Sequence, residues 1–201
     1  FSKSEDLPVA FPIHLASETR QPMQNLSLKD FADTGLLPAD TSTTATTLHL
    51  IASSEFASFH DSLSASNRQW LKRQSFTGKS GQVAWLESGD GVIGAASEDS
   101  LAALGGLPYT LPEGVYRLSA TTSFIALLGW GLGSYSFDRY KAAERGPAQL
   151  ILPDGADAAE LVNTIVATYL TRDLINTPAQ DMAPSHLQAE VEALGAAFNA
   201  D

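Results

Sequence analysis

Apolar residues recur along this chain at two periods. In the last quarter Leu161, Ile165 and Val166, Tyr169 and Leu170, and Leu174 fall three to four apart, the spacing that places side chains on one face of an α-helix. Asp157 stands where an N-cap belongs, its carboxylate able to accept from a backbone N–H of the first turn. Pro178 forces the residue before it out of the helical region, so this helix ends near Asn176-Thr177. A second helix starts at Pro184, a residue suited to the first helical position, and carries Leu187, Val191, Leu194 and Phe198 on one face. Burying all four would contribute at most roughly 6–12 kcal/mol, at about 1.5–3 per large apolar side chain. Such a stripe needs a surface to pack on.

Upstream, short apolar runs bounded by turn residues predict strands. Residues 9–15 read as one, demoted to an edge or irregular strand by Pro12. The threonine-rich stretch 41–47 is a loop running into Leu48-His49-Leu50-Ile51, a strand ending near Ala52. Val83-Ala84-Trp85-Leu86 and Val92-Ile93-Gly94-Ala95 flank Ser88-Gly89-Asp90-Gly91, which predicts a hairpin. Val115-Tyr116-Arg117-Leu118 is a short strand, and Gln149-Leu150-Ile151-Leu152 a buried one stopped by Pro153. Phe56, Phe59, Leu63, Trp70 and Leu71 predict a helix or a helix pair across 55–73, with the polar stretch 62–67 able to break it. Gly105-Gly106-Leu107-Pro108 reads as a connector, and 121–140 as a long, mostly apolar helix in which Gly129 and Gly133 form a flat patch for close packing. Strands alternating with helices, without an internal repeat, predict an α/β fold.

Composition narrows the function. A chain of 201 residues forms one large or two small domains. With no run of 18 apolar residues and no signal-like N-terminus, the expected address is the cytoplasm. The absence of cysteine excludes a disulfide framework, a cysteine nucleophile and a thiolate metal site. A formal charge of −11 opposes nucleic acid and anionic membranes as partners. The charge is uneven: residues 151–201 hold eight acids against the single base Arg172, either a solvated helical face or a segment that meets a basic partner.

Several motifs fail on inspection. Gly78-Lys79-Ser80 resembles the end of a phosphate loop, but the glycine required five residues earlier is Arg73. Gly129-Trp130-Gly131-Leu132-Gly133 lacks the sixth-place glycine or alanine of a dinucleotide turn, where Ser134 stands, and Trp130 would obstruct a pyrophosphate. His14, His49, His60 and His186 are too dispersed to form a helical metal pair. No Gly-x-Ser-x-Gly elbow exposes a serine. The acid pairs Glu5 with Asp6 and Glu98 with Asp99 are chain neighbours that point apart. The sequence therefore offers no catalytic, substrate-binding or metal-binding residue.

Three stretches, in order, resemble the leucyl aminopeptidase family. Thr171-Arg172-Asp173-Leu174-Ile175-Asn176-Thr177-Pro178 followed by Met182-Ala183-Pro184 and Leu187 resembles the family's junction between a long connecting helix and the catalytic domain. Gly129-Trp130-Gly131-Leu132-Gly133-Ser134-Tyr135-Ser136-Phe137-Asp138-Arg139-Tyr140-Lys141 resembles the helix shortly before it, and Leu111-Pro112-Glu113-Gly114-Val115-Tyr116-Arg117-Leu118 the stretch preceding that. The resemblance runs from about Ser80 to the end.

The resemblance implies a mixed β-sheet flanked by helices, similar to macro domains, followed by a long connecting helix. It implies the boundaries 1–153 for an N-terminal α/β domain, 154–177 for the connecting helix and 178–201 for the truncated start of the catalytic domain. The parent would be a hexameric peptidase that removes N-terminal amino acids from peptides with two divalent ions, manganese or zinc. The family's Asn-Thr-Asp-Ala-Glu-Gly-Arg metal-binding run and the lysine- and aspartate-bearing segment before it are absent from these residues, so this chain is expected to be inactive alone, with no cofactor of its own and the catalytic domain as its missing partner. Ala183 replaces a threonine common in the family, removing a helix cap worth on the order of 1 kcal/mol. An alternative of a different class is a stand-alone macro-like module that binds an ADP-ribose-type ligand at Ser88-Gly89-Asp90-Gly91 and Gly105-Gly106.

Overall fold

A computed structural model of the chain describes residues 31–198. The strand expected at 9–15, with His14, Glu5 and Asp6, lies outside them. After a 3-10 turn at Phe31–Thr34, the order is β1 (Leu36–Leu37), β2 (Thr46–Ala52), α1 (Phe56–Ser62), α2 (Ala65–Arg73), β3 (Val83–Trp85), β4 (Gly91–Ala95), α3 (Leu101–Gly105), β5 (Val115–Leu118), α4 (Phe124–Gly133), β6 (Gln149–Ile151), α5 (Ala158–Asn176) and α6 (Pro184–Phe198).

The strands form one mixed sheet in the order β1-β6-β5-β2-β4-β3, parallel except for the β3–β4 hairpin at one edge. Alternating side chains on β2 and β4 face two cores. Leu48, Ile93 and Ala95 join Tyr116, Leu150 and the residues of α3, α4 and α5 on one side. Val92 and Ile51 join Leu71, Phe76, Phe56 and Phe59 of the α1–α2 layer on the other. This is the three-layer solution for a largely parallel sheet, which must bury both faces. From β2 the chain passes through α1 and α2 to the β3–β4 edge, and α3 then carries it back across β2 to β5.

Two elements depart from the sequence expectation. The helix expected over 121–140 is α4, only Phe124–Gly133. Ser123 caps its start by accepting from Ala126 N–H at 3.2 Å, and the Ser134 N–H closes it on the Trp130 and Gly131 carbonyls, both at 3.0 Å. The stretch ending in Gly105-Gly106 is not wholly a connector but includes α3, whose five residues are too few to show a period.

Those two helices run side by side at backbone contact. A Cβ on Gly129 would lie 2.1 Å from the Leu101 carbonyl oxygen, and one on Gly133 would lie 2.0 Å from that of Gly105. Gly131 faces the other way, where a Cβ would meet Ile165 of α5 at 2.1 Å. Trp130, fully buried, donates its indole N–H to the Gly35 carbonyl at 2.9 Å and so ties α4 to the entry of β1.

On the other layer, α2 ends in a Schellman turn. The Phe76 N–H reaches the Leu71 carbonyl and the Ser75 N–H the Lys72 carbonyl, each at 3.0 Å. Ser75 occupies the left-handed position usually given to glycine, with φ of 56°.

Two stability measurements test this packing by urea unfolding. Gly133→Ala forces α3 and α4 apart and destabilises the fold by about 1–3 kcal/mol. Ser75→Gly relieves the left-handed strain and raises stability by about 1 kcal/mol, net of the entropy glycine loses on folding.

Candidate functional site

The buried stripe of α5 runs Leu161, Ile165, Tyr169 and then, still at intervals of four, Asp173 and Thr177. A carboxylate on such a stripe must find donors, since an unsatisfied buried charge costs several kcal/mol. Asp173 is 7% exposed and accepts from the Tyr135 hydroxyl at 2.7 Å. Asn176 donates to the same Tyr135 oxygen at 3.0 Å. Thr177, the C-cap, closes the helix with its N–H and hydroxyl on the Asp173 carbonyl, at 3.0 and 2.6 Å.

Arg172 spans the gap to α4. Its guanidinium donates to the Leu132 carbonyl at 2.8 Å, a cation at a helix C-terminus, and lies over the Tyr135 ring at 5.2 Å. Tyr135 stacks edge-on against Tyr169, centroids 5.1 Å apart, and Tyr169 donates its hydroxyl to the Gly131 carbonyl. Further along, Arg139 donates to the Thr177 hydroxyl at 3.5 Å and Tyr140 to the Asp181 carboxylate at 2.6 Å. The two distant motifs, 135–140 and 172–181, are thus one cluster.

Burial, and then donation to Asp173, push the Tyr135 phenol up to about 12. Burial also pushes Tyr169 well above its ordinary value, while at exposed Tyr140 the hydrogen bond to Asp181 raises it. All three phenols stay protonated and act as donors at neutral pH.

Beside the cluster, at the amino ends of β5 and β6, an open cavity of about 750 Å³ is lined by Tyr109, Glu113, Ser134, Arg145, Gln149 and Tyr169. Arg145 donates to the Tyr109 carbonyl and lies 5.4 Å over its ring. The two buried hydroxyls in the wall are committed to backbone, Tyr169 to Gly131 and Ser134 to Trp130. Neither is paired with a base in the manner of an activated nucleophile.

The residues weighed from the sequence scatter. Gly78 is buried with φ of 73°, its carbonyl accepts from the Ser53 hydroxyl at 2.7 Å, and the chain continues into a strand where a phosphate loop needs a helix. Gly129, Gly131 and Gly133 lie within α4. His49 and His60 pack on Phe59 and Phe56, and His186 accepts from the Ala183 N–H at 3.1 Å. Glu98 accepts from the Ala52 N–H at 3.2 Å, whereas the Asp99 N–H donates to the Ser97 hydroxyl.

Ser88-Gly89-Asp90-Gly91 is the hairpin turn, closed from the Leu86 N–H to the Asp90 carbonyl at 2.8 Å. It precedes β4, and Gly105-Gly106 leads through Pro108, which binds Ala148 ahead of β6. Both loops therefore sit at the amino ends of the parallel strands. Ligands of open α/β sheets bind beyond the carboxyl ends.

The pairing of Tyr135 with Asp173 escaped the sequence reading, although the signal was present. An aspartate four residues after Tyr169 and four before Thr177 continues the buried face, and only a donor from another element can satisfy it there.

Phe at position 135 would strand the Asp173 carboxylate and the Asn176 amide. Tyr135→Phe is expected to lower stability by about 1.5–3 kcal/mol, the range for hydrogen bonds to charged groups. The raised phenol also makes a pH prediction: because the folded state holds that proton more tightly, its stabilising contribution is complete below about pH 10 and is lost as pH rises towards about 12. Urea unfolding across that window should show a shallower decline in Tyr135→Phe than in the unaltered chain.

The M17 aminopeptidase N-terminal domain model matches residues 46–153. No curated protein matches the sequence. Among solved structures, cytosol aminopeptidase from Coxiella burnetii superposes with a TM-score of 0.72 at 29% identity, covering 82% of this chain and 38% of that one. A tomato leucine aminopeptidase mutant superposes at 0.58 with 17% identity over 82% of this chain and 42% of its own. The bottromycin maturation enzyme BotP superposes at 0.53 with 21% identity over 79% and 38%. The chain thus spans about two fifths of the length of these structures. Its mixed six-stranded sheet with flanking helices is similar to the leucine aminopeptidase N-terminal domain. With more than half of its residues matched by that domain model, the chain belongs to the M17 aminopeptidase family.

Proposed function

We propose that this chain is the N-terminal, non-catalytic part of a two-metal leucyl aminopeptidase that removes N-terminal amino acids from peptides. In this reading residues 1–153 form the N-terminal domain, 154–177 the connecting helix and 178–201 the start of the catalytic domain. The observation that carries it is the locked end of α5, Tyr135 and Arg172 holding Asp173, Asn176 and Thr177 in place, directly ahead of a helix with an uncovered apolar face. Leu187, Val191 and Leu194 of α6 are 46%, 61% and 38% exposed. Three large apolar side chains on one helix face, at roughly 1.5–3 kcal/mol each when covered, suit a catalytic domain as their cover.

Among the described residues, no group of three His, Asp or Glu side chains stands close enough to hold a metal ion. In this reading the two ions of the parent are held by its catalytic domain, and this part takes no step of the hydrolysis. Its contribution is organisational: it shapes substrate access or supports a hexameric assembly. Its similarity to a cytosol aminopeptidase supports action in the cytoplasm; among the described residues no helix is long and apolar enough to cross a membrane.

The test is direct. The purified 201-residue chain, incubated with leucyl amide and manganese or zinc, should release no leucine. Metal-dependent release that survives repurification would overturn the non-catalytic assignment.

A further inference from the structure

The outer layer of the fold carries a groove that the proposed function does not use. It lies between α1 and α2, has a volume of about 660 Å³, and is walled by Phe56, Leu71 and Phe76. Leu71 and Phe76 are buried, and the Phe56 and Phe76 rings meet edge to face at 5.6 Å. Its rim carries two cations, Arg68 and Lys72 on α2, with the His60 imidazole opposite. Asp61, the one acid at the rim, stands 3.6 Å from His60 and points largely into solvent. Among the described residues neither Arg68 nor Lys72 holds an ion pair.

This charge runs against the rest of the molecule. Residues 55–82 hold four bases, Arg68, Lys72, Arg73 and Lys79, against Glu55 and Asp61, in a chain of formal charge −11. A cationic rim around an apolar floor selects a ligand with the opposite arrangement, apolar at the centre and acidic at the flanks. The groove lies between two helices and offers no open strand edge, so an extended peptide would leave its backbone groups unpaired. A helix satisfies its own backbone and inserts side chains alone.

We propose that the α1–α2 groove is a docking site for an acidic amphipathic helix of a partner protein, its apolar residues seated against half-buried Phe56 and exposed Ala57, above the buried Leu71 and Phe76, and its carboxylates on Arg68 and Lys72. The α6 helix of a second copy has similar chemistry, with Glu190 and Glu192 beside its apolar stripe. That stripe is assigned above to the catalytic domain, and preferring a separate partner rests on that assignment.

The experiment uses the full chain and a fluorescein-labelled helical peptide of about sixteen residues, with leucine and phenylalanine at i, i+3, i+4 and i+7 and glutamate on the flanks. A matched peptide with lysine for glutamate is the control. Saturable binding of the glutamate peptide is expected. It should weaken about tenfold or more in R68E/K72E and on raising salt from about 0.05 to about 0.5 M, and in A57W, which fills the groove from an exposed position. Thermal melts verify that the variants remain folded. Absence of saturable binding, equal binding of the lysine peptide, or binding unchanged in both variants would overturn the proposal. A concentration-dependent dimer abolished by R68E/K72E and equally by V191E would assign the groove to α6 of a second copy, overturning the separate partner while leaving the inactivity of the chain as an independent result.

Discussion

A helix wedged between two others must surrender side chains where their backbones approach, and in this fold the helix is α4. It lies between α3 and α5 above the sheet, and it fits because Gly129 and Gly133 meet the α3 backbone while Gly131 admits Ile165. The close approach sets the position of Trp130, whose indole reaches Gly35 at the start of β1. It also presents the terminal carbonyls of α4 to α5, where Arg172 and Tyr169 take them. The order of packing therefore runs from backbone contact outward to the polar cluster. Remove the glycines and the cluster has no frame.

That cluster explains why two motifs some forty residues apart belong together. Asp173 continues an apolar stripe with a charge, which is tolerable only because Tyr135 donates to it and Asn176 and Arg172 complete the surroundings of the phenol. Breaking a buried arrangement of this kind by removing one partner costs more than the arrangement contributes over an apolar core, so its worth lies in fixing a geometry more than in raising stability. The geometry fixed here is the end of α5 and the direction in which the chain leaves it.

Much of the fold was legible in the sequence where local chemistry and period agree. Asp157 caps α5, Pro178 and Pro184 mark the gap before α6, and the Gly89-Asp90 turn closes the β3–β4 hairpin, all as local rules require. Where the sequence misled, tertiary contacts decided. The apolar run at 121–140 shows no break in its pattern at Gly133, yet the helix closes there on Ser134, and Tyr135 just beyond it donates to Asp173, a residue on another helix. The α3 helix is too short to declare a period, and its glycine, which reads as a breaker, is there so that another backbone can approach. The polar cluster was visible residue by residue but not as a unit, since hydrogen bonds across thirty-eight positions leave no local periodicity.

The connected bonds around α5 also have a mechanical meaning. A pull on the chain near Asp181 meets Tyr140, then Thr177 and Asp173 gripped by Arg139 and Tyr135, then Arg172 and Tyr169 anchored on α4, and finally Trp130 anchored at β1. The first links, Tyr140, Arg139 and Asp181, lie outside the helices and strands, and the later ones join α5 to α4 and α4 to the entry of β1. The α5 helix is a strut bolted at intervals to α4, which is itself tied to the entry of β1, so tension or torque applied downstream passes into the helical layer before it reaches the sheet.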